Sequence, residues 1–110
     1  MSALEQGDII EVDFTPAVGH EPAKRRPAVV VSAFAHNTRS SLVMAVPITS
    51  SDTGYPLHVP VTADDISGFA AVEALRSLDV VQRGYRLLGY ADDKTMRTIM
   101  SFIRGIFDLR

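Results

Sequence analysis

The chain has 110 residues, 46% hydrophobic and 22% charged, a size and balance that describe one self-folding globular domain over residues 1–110 and exclude a disordered chain. It has no cysteine, which removes disulfides and thiolate metal sites, and no apolar run long enough for a membrane-spanning helix, so the cytoplasm, a single core and no membrane contact are expected. The formal net charge is only −2, so a polyanionic partner would have to be drawn by a local patch and not by the whole surface.

Residues 9–14, IIEVDF, place Ile10, Val12 and Phe14 on one face and Glu11 and Asp13 on the other, the period of a half-buried strand. Every charged side chain before residue 22 is acidic, after which Lys24, Arg25 and Arg26 arrive together. Pro16, Gly19, Pro22 and Pro27 break regular structure across residues 15–27, which predicts a long loop carrying that basic cluster. Adjacent cations on a loop are, in general, simply solvated.

Residues 28–34, AVVVSAF, form a β-branched run, and residues 41–49, SLVMAVPIT, a second strand; the turn chemistry of residues 36–40 between them predicts a hairpin. Pro47 predicts an edge or frayed strand end, leaving Thr49 at a strand-to-loop junction. Beyond Gly54, residues 56–61, 68–73 and 75–81 read as three short strands, with a turn or one helical turn over 62–67. From Asp92 to Leu109, Met96, Ile99, Met100, Ile103, Ile106 and Phe107 recur at three- and four-residue steps behind two acids, predicting an amphipathic helix whose apolar stripe is core or dimer contact. Several short strands closed by one helix describe a mainly β protein built on a small, strongly bent antiparallel sheet or barrel.

Gly7-Asp8, Asp13-Phe14, Pro16, Gly19-His20-Glu21, Arg26-Pro27-Ala28-Val29-Val30-Val31-Ser32, Asn37, Val46-Pro47-Ile48-Thr49-Ser50, Gly54-Tyr55-Pro56 and Arg76-Ser77-Leu78-Asp79 stand in an order and at spacings that resemble the MazF/PemK (Kid) family of toxin endoribonucleases. The resemblance runs over about residues 7–107 and implies an SH3-like bent β-barrel with a C-terminal helix. It also implies a homodimer, cofactor-free and metal-independent cleavage of single-stranded RNA, and a cognate antitoxin whose disordered segment blocks the RNA groove. The chain departs from the family where Pro22 and Lys24 replace the usual Gln and Gly, and where Ala74 replaces the Gln that often follows the acid at Glu73.

Cleaving RNA through its own 2'-hydroxyl needs a proton acceptor, a cation for the crowded phosphate and a donor for the departing 5'-oxygen. The nucleophile is already tethered beside the phosphorus, so no metal is required. Arg26 matches the catalytic Arg of the family and, always protonated, suits the phosphate. Glu21 is assigned as base or orienting group and His20 as proton donor or RNA contact; the two compete for these roles. Thr49 matches the family's second active-site position, and Glu73 falls where Kid-like relatives carry an acid associated with the site. Lys24, Arg25 and Arg39 would extend a backbone-binding path, and Tyr55 would stack on a base. His36 and His58, outside any motif, read as structural. Two other functions compete. One is a CcdB-like gyrase poison, which the absence of tryptophan counts against; the other is a non-catalytic barrel that binds RNA or protein.

Overall fold

The computed structural model describes residues 1–51 and 54–108. Its elements run β1 (Asp8–Asp13), β2 (Arg25–Val30), a short helix α1 (Phe34–Asn37), β3 (Leu42–Thr49), β4 (His58–Ala63) and β5 (Ile66–Ala71). A 3₁₀ turn (Val72–Ala74) then leads to β6 (Arg76–Asp79), α2 (Val80–Arg83), β7 (Arg86–Tyr90) and α3 (Asp93–Ile106). All seven strands pair antiparallel in the order β4-β5-β3-β2-β1-β7, with β6 also on β3. The sheet curls into a half-barrel: Asp64, in the β4–β5 turn at one end of this order, packs on Gly89 of β7 at the other. A β-carbon on Gly89 would stand 2.8 Å from Oδ2 of Asp64, so any larger residue there would have to push the Asp64 carboxylate aside.

Instead of the single core expected, two hydrophobic clusters form, one on each face of the sheet. Ile10, Val12, Phe14, Ala28, Val30, Val43, Ala45 and Leu78 pack together on one face with Leu4 and Val80. Ile9, Val29, Val31, Val46 and Ile48 pack on the other face under the β4–β5 hairpin and Ile99 of α3. Burial on both faces explains why residues 28–31 are apolar without alternation.

Two further differences come from pairing. β2 starts at Arg25, not at residue 28, because Arg25 and Arg26 are already in register with Asp13 and Val12 of β1. Pro47 lies on neither an edge nor a frayed end. Val31 N–H donates to Met44 O, so by alternation the N position of Pro47 points away from β2, into the gap where β3 has left β6 (paired to residues 42–45) and not yet met β5 (paired to 48–49). A residue without an N–H fits there at no cost. Residues 62–67 are the turn end of the β4–β5 hairpin, and β7 forms where the sequence pattern points to no element.

α3 begins one residue after its cap: the Asp92 carboxylate accepts the Thr95 N–H at 2.8 Å, and that bond, with a smaller contribution from the Thr95 side chain, holds its pKa below the usual carboxylate range against slight desolvation. A folded-state pKa depressed in this way adds stability above the unfolded value, lost as pH falls through the folded one. The melting temperatures of wild type and Asp92→Ala therefore differ at pH 6 and converge toward pH 2 in thermal melts; a gap independent of pH would refute the capping role. The helix's predicted last residue, Leu109, lies outside the described residues.

Candidate functional site

Arg26 and Thr49 meet because of strand register. β2 and β3 pair as Val30↔Ala45, Val29↔Val46 and Ala28↔Pro47, and two further steps in that register set Arg26 opposite Thr49 on one face. The ladder stops at Ala28, next to Pro27, which has no N–H to donate, so the strands part there. The opening is a cleft of ≈ 380 Å³ lined by Arg26, Pro27, Thr49, Ser50, Asp65 and Ser67, among others. Arg26 Nε donates to Ala23 O at 3.0 Å, which fixes the plane of the guanidinium, and among the described residues no carboxylate is within ion-pair distance of it.

Thr49 also lines a larger cleft of ≈ 780 Å³ together with His20, Glu21, Ser51, Tyr55, His58 and Glu73. One wall is the loop after β1. Asp13 caps its start by accepting both the Thr15 hydroxyl (2.6 Å) and the Thr15 N–H (2.8 Å); these bonds, helped by the charges of Arg83 and Arg25, hold the Asp13 pKa below the usual carboxylate range despite slight desolvation. Phe14 N–H donates to Lys24 O at 2.9 Å and closes the neck of the loop. At the tip the Glu21 carboxylate accepts the Val18 N–H at 2.8 Å while the Glu21 N–H returns to Val18 O at 3.1 Å, so Glu21 holds its own turn and keeps a second carboxylate oxygen. His20 beside it is exposed.

The opposite wall pairs Glu73, expected at the site, with His58, which the sequence reading gives as structural. His58 Nε2 lies 2.9 Å from Glu73 Oε2, with the tilted Tyr55 ring 5.6 Å from the imidazole. The His58 side chain is 7% exposed, and among the described residues its Nδ1 has no hydrogen-bond partner. The signal that would have found it is period two: Val59 and Val61 face the core, so His58 belongs to the other face of β4, beside Gly54-Tyr55-Pro56.

Thus His20, Glu21, Thr49, Tyr55 and Glu73 share one cleft and Arg26 and Thr49 its neighbour. Arg25 alternates to the face away from Arg26 and bonds Glu11 at 3.1 Å, an oxygen also approached by Arg86 at 3.4 Å. Lys24 is exposed with φ +68°. Arg39 follows α1, before β3 begins, whereas Thr49 ends that eight-residue strand; roughly 25 Å of extended chain separates them, so the structure does not bring Arg39 to the cleft. Among the described residues no group of three or more His, Asp or Glu side chains could hold a metal ion, and no helix is long and apolar enough to cross a membrane.

Residues 5–107 match the family model described as the PemK-like, MazF-like toxin of type II toxin-antitoxin systems. The chain is 33% identical to the endoribonuclease toxin MazF of Escherichia coli K12 over 99 residues, 90% of this chain and 89% of that one. Its backbone superposes on the crystal structure of MazF from Deinococcus radiodurans with a TM-score of 0.89 at 32% identity, over 96% of this chain and 97% of that one. A MazE-MazF complex from the same organism gives 0.83 at 30% identity, over 96% of each chain.

Proposed function

Because the chain belongs to the PemK-like, MazF-like toxin family and is an endoribonuclease toxin of that kind, we propose that it cuts single-stranded RNA by attack of the 2'-hydroxyl on the adjacent phosphate, with no metal. The observation that carries this reading is the Arg26–Thr49 opening, continuous through Thr49 with the His20, Glu21 and Glu73 cleft. The Arg26 guanidinium binds the phosphate and neutralises charge as it builds on the non-bridging oxygens; the Thr49 hydroxyl donates to one of them. Glu21, through its second oxygen, takes the 2'-hydroxyl proton or orients the group that does, and His20 protonates the leaving oxygen. The O2'–P bond forms, the P–O5' bond breaks, and the ends are a 2',3'-cyclic phosphate and a 5'-hydroxyl.

The cognate partner in this reading is an antitoxin whose disordered, acidic segment occupies the same cleft, and the working form is a cytoplasmic homodimer. The gyrase-directed alternative has no support in the family match.

Long single-stranded RNA incubated with the purified protein in excess EDTA is expected to be cut, with cyclic-phosphate and 5'-hydroxyl termini by mass spectrometry. Intact RNA, cutting that stops when EDTA is added, or 5'-phosphate ends would overturn the proposal.

A further inference from the structure

The Arg76-Ser77-Leu78-Asp79 stretch is part of neither cleft, yet its side chains converge on one place. Arg76 Nη1 donates to Phe14 O at 2.9 Å, with its guanidinium 5.8 Å from the centre of the Phe14 ring. Asp79 caps α2 by accepting the Gln82 N–H at 3.0 Å, and the single turn of that helix ends in Arg83, whose Nη1 donates to Asp13 O and Thr15 O, both at 2.6 Å. Three consecutive carbonyls, those of residues 13, 14 and 15, are thus held by two cations from one short segment. They are the last residue of β1 and the first two of the chain leading to His20 and Glu21.

The segment that does the holding is itself fixed to β3. β6 pairs with it residue by residue from Leu42↔Asp79 to Ala45↔Arg76, and β3 ends in Thr49. The loop wall of the cleft and the Thr49 hydroxyl are therefore referred to a single strand: one through its terminus, the other through the arginines of its neighbour. We propose that Arg76 and Arg83 are positioning residues that set the placement of the His20–Glu21 loop relative to Thr49. The effect on cleavage rests on the function proposed above; the effect on the loop does not.

Donors that are charged and fork-shaped hold carbonyls more firmly than neutral ones, and loops with no buried residues open locally more often when such contacts are removed. Hydrogen exchange on the full chain without RNA is the first measurement. In Arg83→Gln, and more so in Arg76→Gln/Arg83→Gln, amides of residues 14–24 are expected to exchange at least about tenfold faster, while those of β4 and β5 keep their wild-type rates. Arg83→Lys, which keeps the charge, restores a measurable part of the protection. The second measurement is cleavage: kcat falls by up to about 10²-fold in the Gln variants, as for a misplacement of catalytic groups, with a smaller change in KM. Unchanged exchange in residues 14–24, or equally faster exchange throughout the sheet, would overturn the proposal. If the wild-type protein does not cut RNA, the function proposed above falls and the exchange pattern alone still decides this one.

Discussion

Arg26→Ala is expected to lower the rate of RNA cleavage by about 10²–10³-fold, the usual loss when one donor to a developing oxyanion is removed. The size of the effect follows from how the side chain is held. Its Nε is committed to Ala23 O, so the guanidinium enters the cleft as an oriented plane and not as a free charge. Arg26→Lys keeps the charge but loses both the Ala23 bond and the two-pronged fork, and is expected to recover less than a tenth of the lost rate. Arg26 is only partly buried at the open end of a ladder, so both variants should melt close to wild type, within the roughly 0.5 kcal/mol typical of surface changes. Initial rates on a defined single-stranded RNA, with thermal melts alongside, test this; a lysine variant as fast as wild type would remove Arg26 from the chemistry.

Gly68→Ala is expected to damage stability and cleavage together. Gly68 lies on β5 beside the end of β3, and a β-carbon there would stand 2.5 Å from Thr49 O and 2.8 Å from Cγ2 of Ile48. The first of these is backbone and cannot rotate away. Overpacking of this kind costs about 1–3 kcal/mol, which lowers the melting temperature by roughly 5–20 °C in a domain of this size. The strain is relieved by moving β5 away from β3, which displaces Thr49, so the folded fraction also cuts more slowly than wild type per molecule. Gly105→Ala is the control. It meets nothing within 4 Å, lies in α3, and should raise stability by up to about 1 kcal/mol through helix propensity. A Gly68→Ala protein with wild-type melting and rate would show that β5 has slack at Thr49.

The same two positions show what a sequence discloses and what it withholds. The alternation of IIEVDF and the stripe of α3 follow from covalent periodicity, so β1 and the helix were legible to within a few residues. Arg26 and Thr49 stand out in the sequence as candidates, because a motif carries residue identity, and the structure sets both on one opening. Their opposition was not legible, since register depends on pairing between segments about twenty residues apart. Pro47 was misread for the same reason: a proline signals a missing donor, but only the neighbouring strands say whether a donor was wanted. Period two sets His58 on the face of β4 opposite Val59 and Val61, but its meeting with Glu73 comes from the pairing of β4 with β5, which no local pattern encodes. The division of apolar residues into two clusters also had to wait for the fold, because a run such as Val29-Val30-Val31 reads alike for one face or two.

No residue of the loop 15–24 is buried, and none belongs to either hydrophobic cluster. Apart from the Thr15 hydroxyl and the Glu21 carboxylate, its fastening comes from side chains elsewhere, acting on carbonyl oxygens that every amino acid supplies. Most substitutions in the loop outside Thr15, His20 and Glu21 therefore carry little folding penalty. Lys24 is not a change of that kind, since it replaces a glycine at a backbone φ of +68°, where a side chain adds strain; Pro22, where this chain also departs from its relatives, is. Divergence of one wall of the cleft is thereby uncoupled from survival of the fold.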